Sequence, residues 1–283
     1  MTIHLEHIRD PQPADYADIR QGLQAYNLSQ QPQLADLKSG RRILTYHDGP
    51  TLLGGAIIAY EWGWLYVDTL WVDAAYRGLG IATQLMQAIE SIALTHQLAG
   101  VYLMTSQFQA PDFYKKLGYQ IWAELPDWPR AYTMTYFQKK SLTHFDPNPH
   151  IQIHDRNPEL RQYLQEGLLK DSYPYTPFEY QSYLTKLWDD TQLIGGFYAF
   201  SFWDVLTLAI LYIEPAYRQQ SYGHQLLNQV QQLARQTGLA RIILDTADFQ
   251  APDFYHQAGY QTYGLLEHRP PNNRSHFLTY ILE

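Results

Sequence analysis

The sequence predicts an α/β (α+β) protein built as two tandem copies of one fold. Each copy is a mixed, mostly antiparallel twisted sheet flanked by helices. Three observations support this. The heptapeptide FQAPDFY stands at 108–114 and again at 249–255, an offset of 249 − 108 = 141 residues. Gly54-Gly55 and Ala75-Tyr76-Arg77 recur at that same offset as Gly195-Gly196 and Ala216-Tyr217-Arg218. Alignment of 54–120 with 195–261 needs no gap and holds 25 identities in 67 positions. Several boxes sharing one offset imply duplication of a whole domain, because solenoid repeats run only to roughly 20–50 residues.

Residues 15–28 place Ile19, Leu23 and Tyr26 on one helical face, and 158–169 do the same with Leu160, Leu164 and Leu168. Residues 42–47, 52–61 and 64–72 read as successive strands joined by short glycine-containing turns. Ile81, Leu85, Ile89 and Ile92 make 81–96 an amphipathic helix. A short buried strand follows at 101–105. A short helix at 111–117 ends at Gly118, where a left-handed cap is natural. Strands near 119–123 and 132–139 close the copy. Two prolines and an asparagine interrupt the pattern in THFDPNPH (143–150). The expected domains are therefore 1–145 and 146–283. The histidines there, with His154, have no further ligand types clustered around them, so no metal is expected.

The 283 residues suit two domains, and 46% hydrophobic residues can fill two cores. No stretch reaches the ~18 uncharged apolar residues of a membrane span, so no membrane partner is expected. MTIHLEHIRD lacks the basic start and apolar run of a secretory signal, which makes the cytoplasm the expected compartment. Cysteine is absent, which excludes disulfides, thiolate metal sites and a cysteine nucleophile. A net charge of -8 argues against nucleic acid and favours cationic partners. The 24 tyrosines suit either ligand-stacking pockets or a tyrosine-rich core.

The most informative chemical feature is YRGLGIA (76–82), at a strand-to-helix turn. A helix start exposes unpaired N–H groups and the positive end of the dipole. Glycines let such a backbone curl closely around an anion, and an adjacent arginine adds charge and donors. The alternative is a plain tight turn. The Walker spacing is missing, and so is the third glycine of the dinucleotide fingerprint.

The R-x-x-G-x-A spacing (Arg77, Gly80, Ala82), followed by FQAPDFYKKLGY, resembles the acetyl-coenzyme A signature of the GNAT superfamily of N-acetyltransferases. The resemblance spans nearly the whole first copy. It implies two tandem GNAT folds and transfer of acetyl from acetyl-coenzyme A to an amine, through a tetrahedral oxyanion. It further implies that the cofactor lies against Leu70, Trp71 and Val72, whose backbone holds the oxyanion donor. Arg77, Gly78, Leu79, Gly80, Ile81 and Ala82 would hold its pyrophosphate. Tyr114 matches the family tyrosine that acts as general acid beside the sulfur; the competing reading is that it packs the short helix. Gln107 stands where many relatives carry an asparagine on the cofactor arm.

A lysine-like amine, with a free pKa of ~10.4, must lose a proton before attack, and a carboxylate can take it. The resemblance places that base at Asp68, sharing a face with Tyr66 and Leu70 if strict alternation holds. Glu61 is the second candidate, and a solvent-facing aspartate the bland reading. Glu124, Asp127 and Trp128 in ELPDWP are candidate acceptor contacts, as an acidic and aromatic rim could stack a cation.

The second copy keeps Arg218 and Tyr255, but Gly78, Gly80, Asp68 and Gln107 become Gln219, Ser221, Ala209 and Asp248. Side chains then crowd the loop, and a non-glycine residue resists positive φ. The first domain is thus expected to be catalytic and the second structural. The expected activity is acetylation of a small, possibly cationic, primary amine. The rivals are a non-catalytic acetyl-coenzyme A-binding module and an enzyme with two active domains. Fused halves can imitate a two-fold dimer, which favours a monomer over a homodimer.

Overall fold

A computed structural model describes residues 2–176 and 179–282. The first repeat forms β1 (Ile3–Arg9), α1 (Ala17–Gln30), β2 (Gly40–Asp48), β3 (Thr51–Glu61), β4 (Trp64–Val72), α2 (Ile81–Thr95), β5 (Val101–Ser106), α3 (Pro111–Lys116), β6 (Gln120–Leu125) and β7 (Met134–Lys139). The second follows with β8 (Ile151–His154), α4 (Pro158–Ser172), β9 (Gln181–Asp189), β10 (Gln192–Phe202), β11 (Val205–Ile213), α5 (Tyr222–Gln236), β12 (Arg241–Ala247), α6 (Pro252–Gln257), β13 (Gln261–Glu267) and β14 (Arg274–Ile281). Every expected element is present; β1 and β8 are additions. Both are edge strands exposed along much of their length, so neither shows a full apolar face.

Two seven-stranded sheets result, ordered β6-β7-β5-β4-β3-β2-β8 and β1-β9-β10-β11-β12-β14-β13. Each contains one parallel pair, β4 with β5 and β11 with β12. The mixed, mostly antiparallel architecture expected from the sequence is the observed one.

The sheets do not divide the chain at the repeat boundary. β1 pairs antiparallel with β9, from Ile3↔Asp189 to Arg9↔Tyr183. Helix α1 packs Ile19 and Leu23 against Leu184, Ile210 and Tyr212. Reciprocally, β8 pairs with β2, and α4 lays Leu160 and Leu164 on Ile43, Ile57 and Trp71. Both compact units are discontinuous: a first unit of residues 37–176 and 266–274, and a second of 2–36, 179–265 and 275–282. The division at 145/146 tracks the repeat, whereas packing assigns each leading β-α segment to the other repeat's sheet. The amphipathic pattern of α1 shows that it must cover a sheet. It cannot show which of two homologous sheets.

Both docked helices approach closely because a glycine meets an aromatic ring. A Cβ on Gly167 would lie 2.5 Å from the Trp71 ring, and one on Gly22 would lie 2.4 Å from the Tyr212 ring. On the opposite face of the first sheet, Leu65, Val67, Leu103 and Phe137 pack against Ile81, Leu85, Met86 and Ile89 of α2. Strand β4 is therefore sandwiched between α4 and α2.

Candidate active site

The site begins with an irregularity in β4. Ile57 pairs with Thr69 and Ile58 with Val67, which leaves Asp68 as the extra residue of a β-bulge. Beyond it, β4 and β5 part company. They pair only where Leu65, Tyr66 and Val67 meet Val101, Tyr102 and Leu103. From Asp68 to Val72 the β5-side edge of β4 has no strand partner among the described residues, so its backbone donors are available to a ligand. Leu70, Trp71 and Val72 all lie on this stretch.

The bulge corrects one expectation. Tyr66 pairs with Ala59 on the α4 side, but Leu70 packs into the α2-side core. One extra residue resets the alternation, so Asp68 and Leu70 do not share a face. Trp71 is also held on the α4 side, where its Nε1 donates to Asp171 Oδ2 at 3.0 Å.

The glycine loop follows directly. Gly78 and Gly80 both have φ +79, and Gly80 caps α2. A Cβ on Gly78 would meet nothing within 4 Å, and one on Gly80 only Gln84 Nε2 at 4.0 Å. The glycines thus meet a demand of backbone angle, and the space above them is open. Leu79 stands 66% exposed at the tip, while Ile81 is buried and Ala82 half-buried on the α2 core. The first turn of α2 carries no acidic residue to compete for its free N–H groups. Arg77 is more committed than expected. Its Nε donates to Val72 O at 3.0 Å and its Nη2 to the Asp171 carboxylate, so the side chain clamps the loop, and among the described residues only its Nη1 has no protein partner.

Tyr114 is 8% exposed among Phe113, Tyr119 and Phe137. Among the described residues its hydroxyl makes no side-chain hydrogen bond, and burial pushes the phenol pKa well above its ordinary value. The group therefore stays protonated near neutral pH. It belongs to the α2-side core, whereas Asp68 feels Arg161 of α4. Tyr114 and Asp68 thus lie on opposite faces of the first sheet.

Burial raises the Asp68 pKa, Arg41 and Arg161 pull it back down, and Glu61 adds to the rise. Glu61, the alternative base, is already engaged: Tyr102 Oη donates to its Oε2, and Arg269 Nη2 does so at 2.8 Å. Gln107 is exposed with its N–H on Thr133 O at 2.9 Å, and its side chain points to no protein partner among the described residues. Trp128 is only 1% exposed and cannot form a stacking rim. Glu124 and Asp127 are exposed, with Glu124 registered opposite Thr135, one step out of phase with the Tyr136 side.

Sequence reasoning missed four residues. Gln109 accepts from Ser106 N at 2.9 Å and donates to Ser172 Oγ at 3.3 Å, tying the heptapeptide to α4. Gln250 does the same in the second unit, accepting from Ala247 N at 2.8 Å and donating to Asn27 Oδ1 at 2.9 Å. This is a structural reason for the repeated heptapeptide. Asp171 and Arg269 were invisible because both lie outside the repeat that carries the glycine loop.

The second unit keeps the scaffold. Ala209 occupies the equivalent bulge, and β11 pairs with β12 only from Val205 to Thr207. Its loop keeps the left-handed backbone without the glycines: Gln219 and Ser221 adopt φ +61 and +64. A groove of about 600 Å³ beside this loop is lined in part by Asp18 and Glu214, which oppose an anion. Among the described residues, no three His, Cys, Asp or Glu side chains converge to hold a metal. None of the helices among them is long and apolar enough to cross a membrane.

The sequence model of the Acetyltransferase (GNAT) family matches twice, over residues 6–119 and 142–260. A blasticidin-S acetyltransferase of Streptomyces morookaense is 41% identical over 83 residues, which are 29% of this chain and 61% of that relative. The match thus spans about three-fifths of the relative's length. Acetyltransferase Atu2258 of Agrobacterium fabrum is 31% identical over 122 residues, 43% of this chain and 88% of its own. A crystal structure of an acetyltransferase from Bacillus cereus aligns at 25% identity with TM-score 0.41, covering 50% of this chain and 98% of that one.

Proposed function

Because the chain belongs to the acetyltransferase (GNAT) family, we propose that its first unit moves acetyl from acetyl-coenzyme A to the primary amine of a small molecule. The observation that carries this is the opened edge of β4: the bulge at Asp68 leads straight into a glycine loop with empty space above it. Acetyl-coenzyme A would supply the thioester carbonyl. Gly78 to Ala82 would cradle its pyrophosphate with backbone N–H groups, and the free edge of β4 near Leu70 would donate to the thioester oxygen. Asp68 accepts a proton from the attacking nitrogen as the N–C bond forms. Tyr114 gives its hydroxyl proton to sulfur as the C–S bond breaks and recovers one from solvent. A relative named for acetylating blasticidin S supports a small-molecule acceptor.

The second unit is proposed to be non-catalytic. It has Ala209 in place of the base, and its loop neighbours Asp18 and Glu214. A calorimetric titration with paired variants tests both statements. Gly80→Asp suits a helix cap and a left-handed φ, but it puts a carboxylate where the pyrophosphate would sit. One acetyl-coenzyme A per chain is expected, weakened about 10-fold by Gly80→Asp, which sets a like charge beside the pyrophosphate. Ser221→Asp should leave it unchanged. Two equal sites would refute the assignment to one unit, and no binding would refute the activity.

A further inference from the structure

The charges around Asp68 say something about the acceptor. Across the first sheet, Arg41, Ala59, Tyr66 and Tyr102 lie in one cross-strand row on the α4 side. Asp68 sits next to this row, at the bulge. From above, Arg161 extends from the first turns of α4, between Leu160 and Leu164, both of which pack on Ile43 and Ile57. Arg41 and Arg161 therefore reach the same patch from two different elements, and both act electrostatically on Asp68.

The balance of charge on this patch is unusual for the chain. Arg269 and Glu61 form an ion pair at 2.8 Å and neutralise each other. What remains is Asp68 against two arginines, a net +1 in a protein of net charge -8. Both arginines are exposed, and among the described residues neither takes part in an ion pair, whereas the neighbouring Arg42 is paired with Asp155 at 2.9 Å. An acceptor offering only an ammonium would add a positive charge beside two others. One that also bears an anionic group would add no net positive charge and would give the arginines a counter-ion.

We propose that the acceptor is a primary amine that also carries a carboxylate, held by Arg41 and Arg161 so that its nitrogen lies over Asp68. This rests on the acetyl-transfer reading and narrows it from any small amine to an amino-acid-like one. Arginine suits the role because its planar fork binds a carboxylate through two parallel hydrogen bonds. It also separates the tasks on this face: the arginines hold the acceptor, and Asp68 takes the proton. The two guanidiniums would also offset the cost of ionising a half-buried carboxylate.

The test is a set of matched acceptors: ω-amino acids of increasing length, their carboxamides and simple diamines. Each is assayed for release of free coenzyme A from acetyl-coenzyme A. The carboxylates should have the highest kcat/KM. Arg161→Gln and Arg41→Gln should each raise KM for them about 10-fold or more, the scale of one charged hydrogen bond, with kcat changed far less. Compared at a pH above the acidic limb of each variant, the same substitutions should lower kcat/KM for the carboxamides far less than for the carboxylates and should leave acetyl-coenzyme A binding unchanged. Equal or faster turnover of diamines or carboxamides would overturn the proposal and leave acetyl transfer standing. Acetyl-coenzyme A binding with no turnover of any acceptor would overturn both. A uniform loss for every acceptor in the arginine variants would assign them a structural role and also overturn it.

Discussion

At Asp68, the proposed base, stability and reactivity would make opposite demands. Its pKa is raised in the folded state, chiefly by burial. A raised carboxylate contributes stability that is full below its unfolded value and is lost as pH rises through the folded value. Asp68→Asn should therefore raise the Tm at neutral pH and leave it unchanged near pH 3. It should also lower kcat/KM by about 100-fold or more, the usual contribution of a general base. In the wild-type enzyme the acidic limb of kcat/KM should lie above the ordinary carboxylate range. Arg161→Gln removes a lowering influence and should move that limb higher still. A Tm that falls in Asp68→Asn would show that the carboxylate stabilises the fold, and the base assignment would lose its physical support. Tyr114→Phe keeps the ring packing but removes the proton, so kcat should fall with little change in Tm. Thermal melts and pH–rate profiles on three single variants distinguish these outcomes.

At the level of elements, two features make opposite demands. The glycine loop needs left-handed backbone, and Ser221 meets that demand in the second unit at a cost of about 1–2 kcal/mol. Ser221→Gly should recover roughly 1 kcal/mol of that. Gly80 already has the favourable residue, so Gly80→Ser should cost a similar amount. Helix α2 carries a second device: Glu90, 2% exposed, accepts from Lys139 Nζ at 2.8 and 2.9 Å. Lys139→Met leaves a buried carboxylate unpaired and should destabilise by about 3–5 kcal/mol, whereas Glu90→Gln with Lys139→Met should recover much of it. Denaturant titration measures both effects. The second repeat has Gln231 and Tyr280 at the equivalent places, which supports the neutral combination.

At the level of the molecule, the exchange of leading segments governs what can be cut. A fragment of residues 1–145 keeps the repeat intact but loses β8 and α4 from its sheet. Ile43, Ile57 and Trp71 would then lie bare, and Arg77 would lose Asp171. That fragment should show no cooperative thermal transition by circular dichroism. Cooperative melting would show that the leading segments are dispensable.

The repeat, the order of elements, the glycine loop and the family could all be read from sequence. They depend on local periodicity and on identities at one fixed offset, which need no knowledge of what lies nearby in space. The proposal of Tyr114 and Asp68 rests on the same ground, as positions within a pattern. Only the tertiary structure decided which sheet α1 and α4 cover, since two homologous sheets present the same apolar face. The structure also decided the face of Leu70, because a one-residue bulge leaves no mark in composition. Likewise it showed that Trp128 is buried and that Asp171 and Arg269 reach the first unit. Those assignments depend on contacts between residues about 100 and 200 positions apart, and side-chain pairing over such separations is set by packing rather than by local pattern.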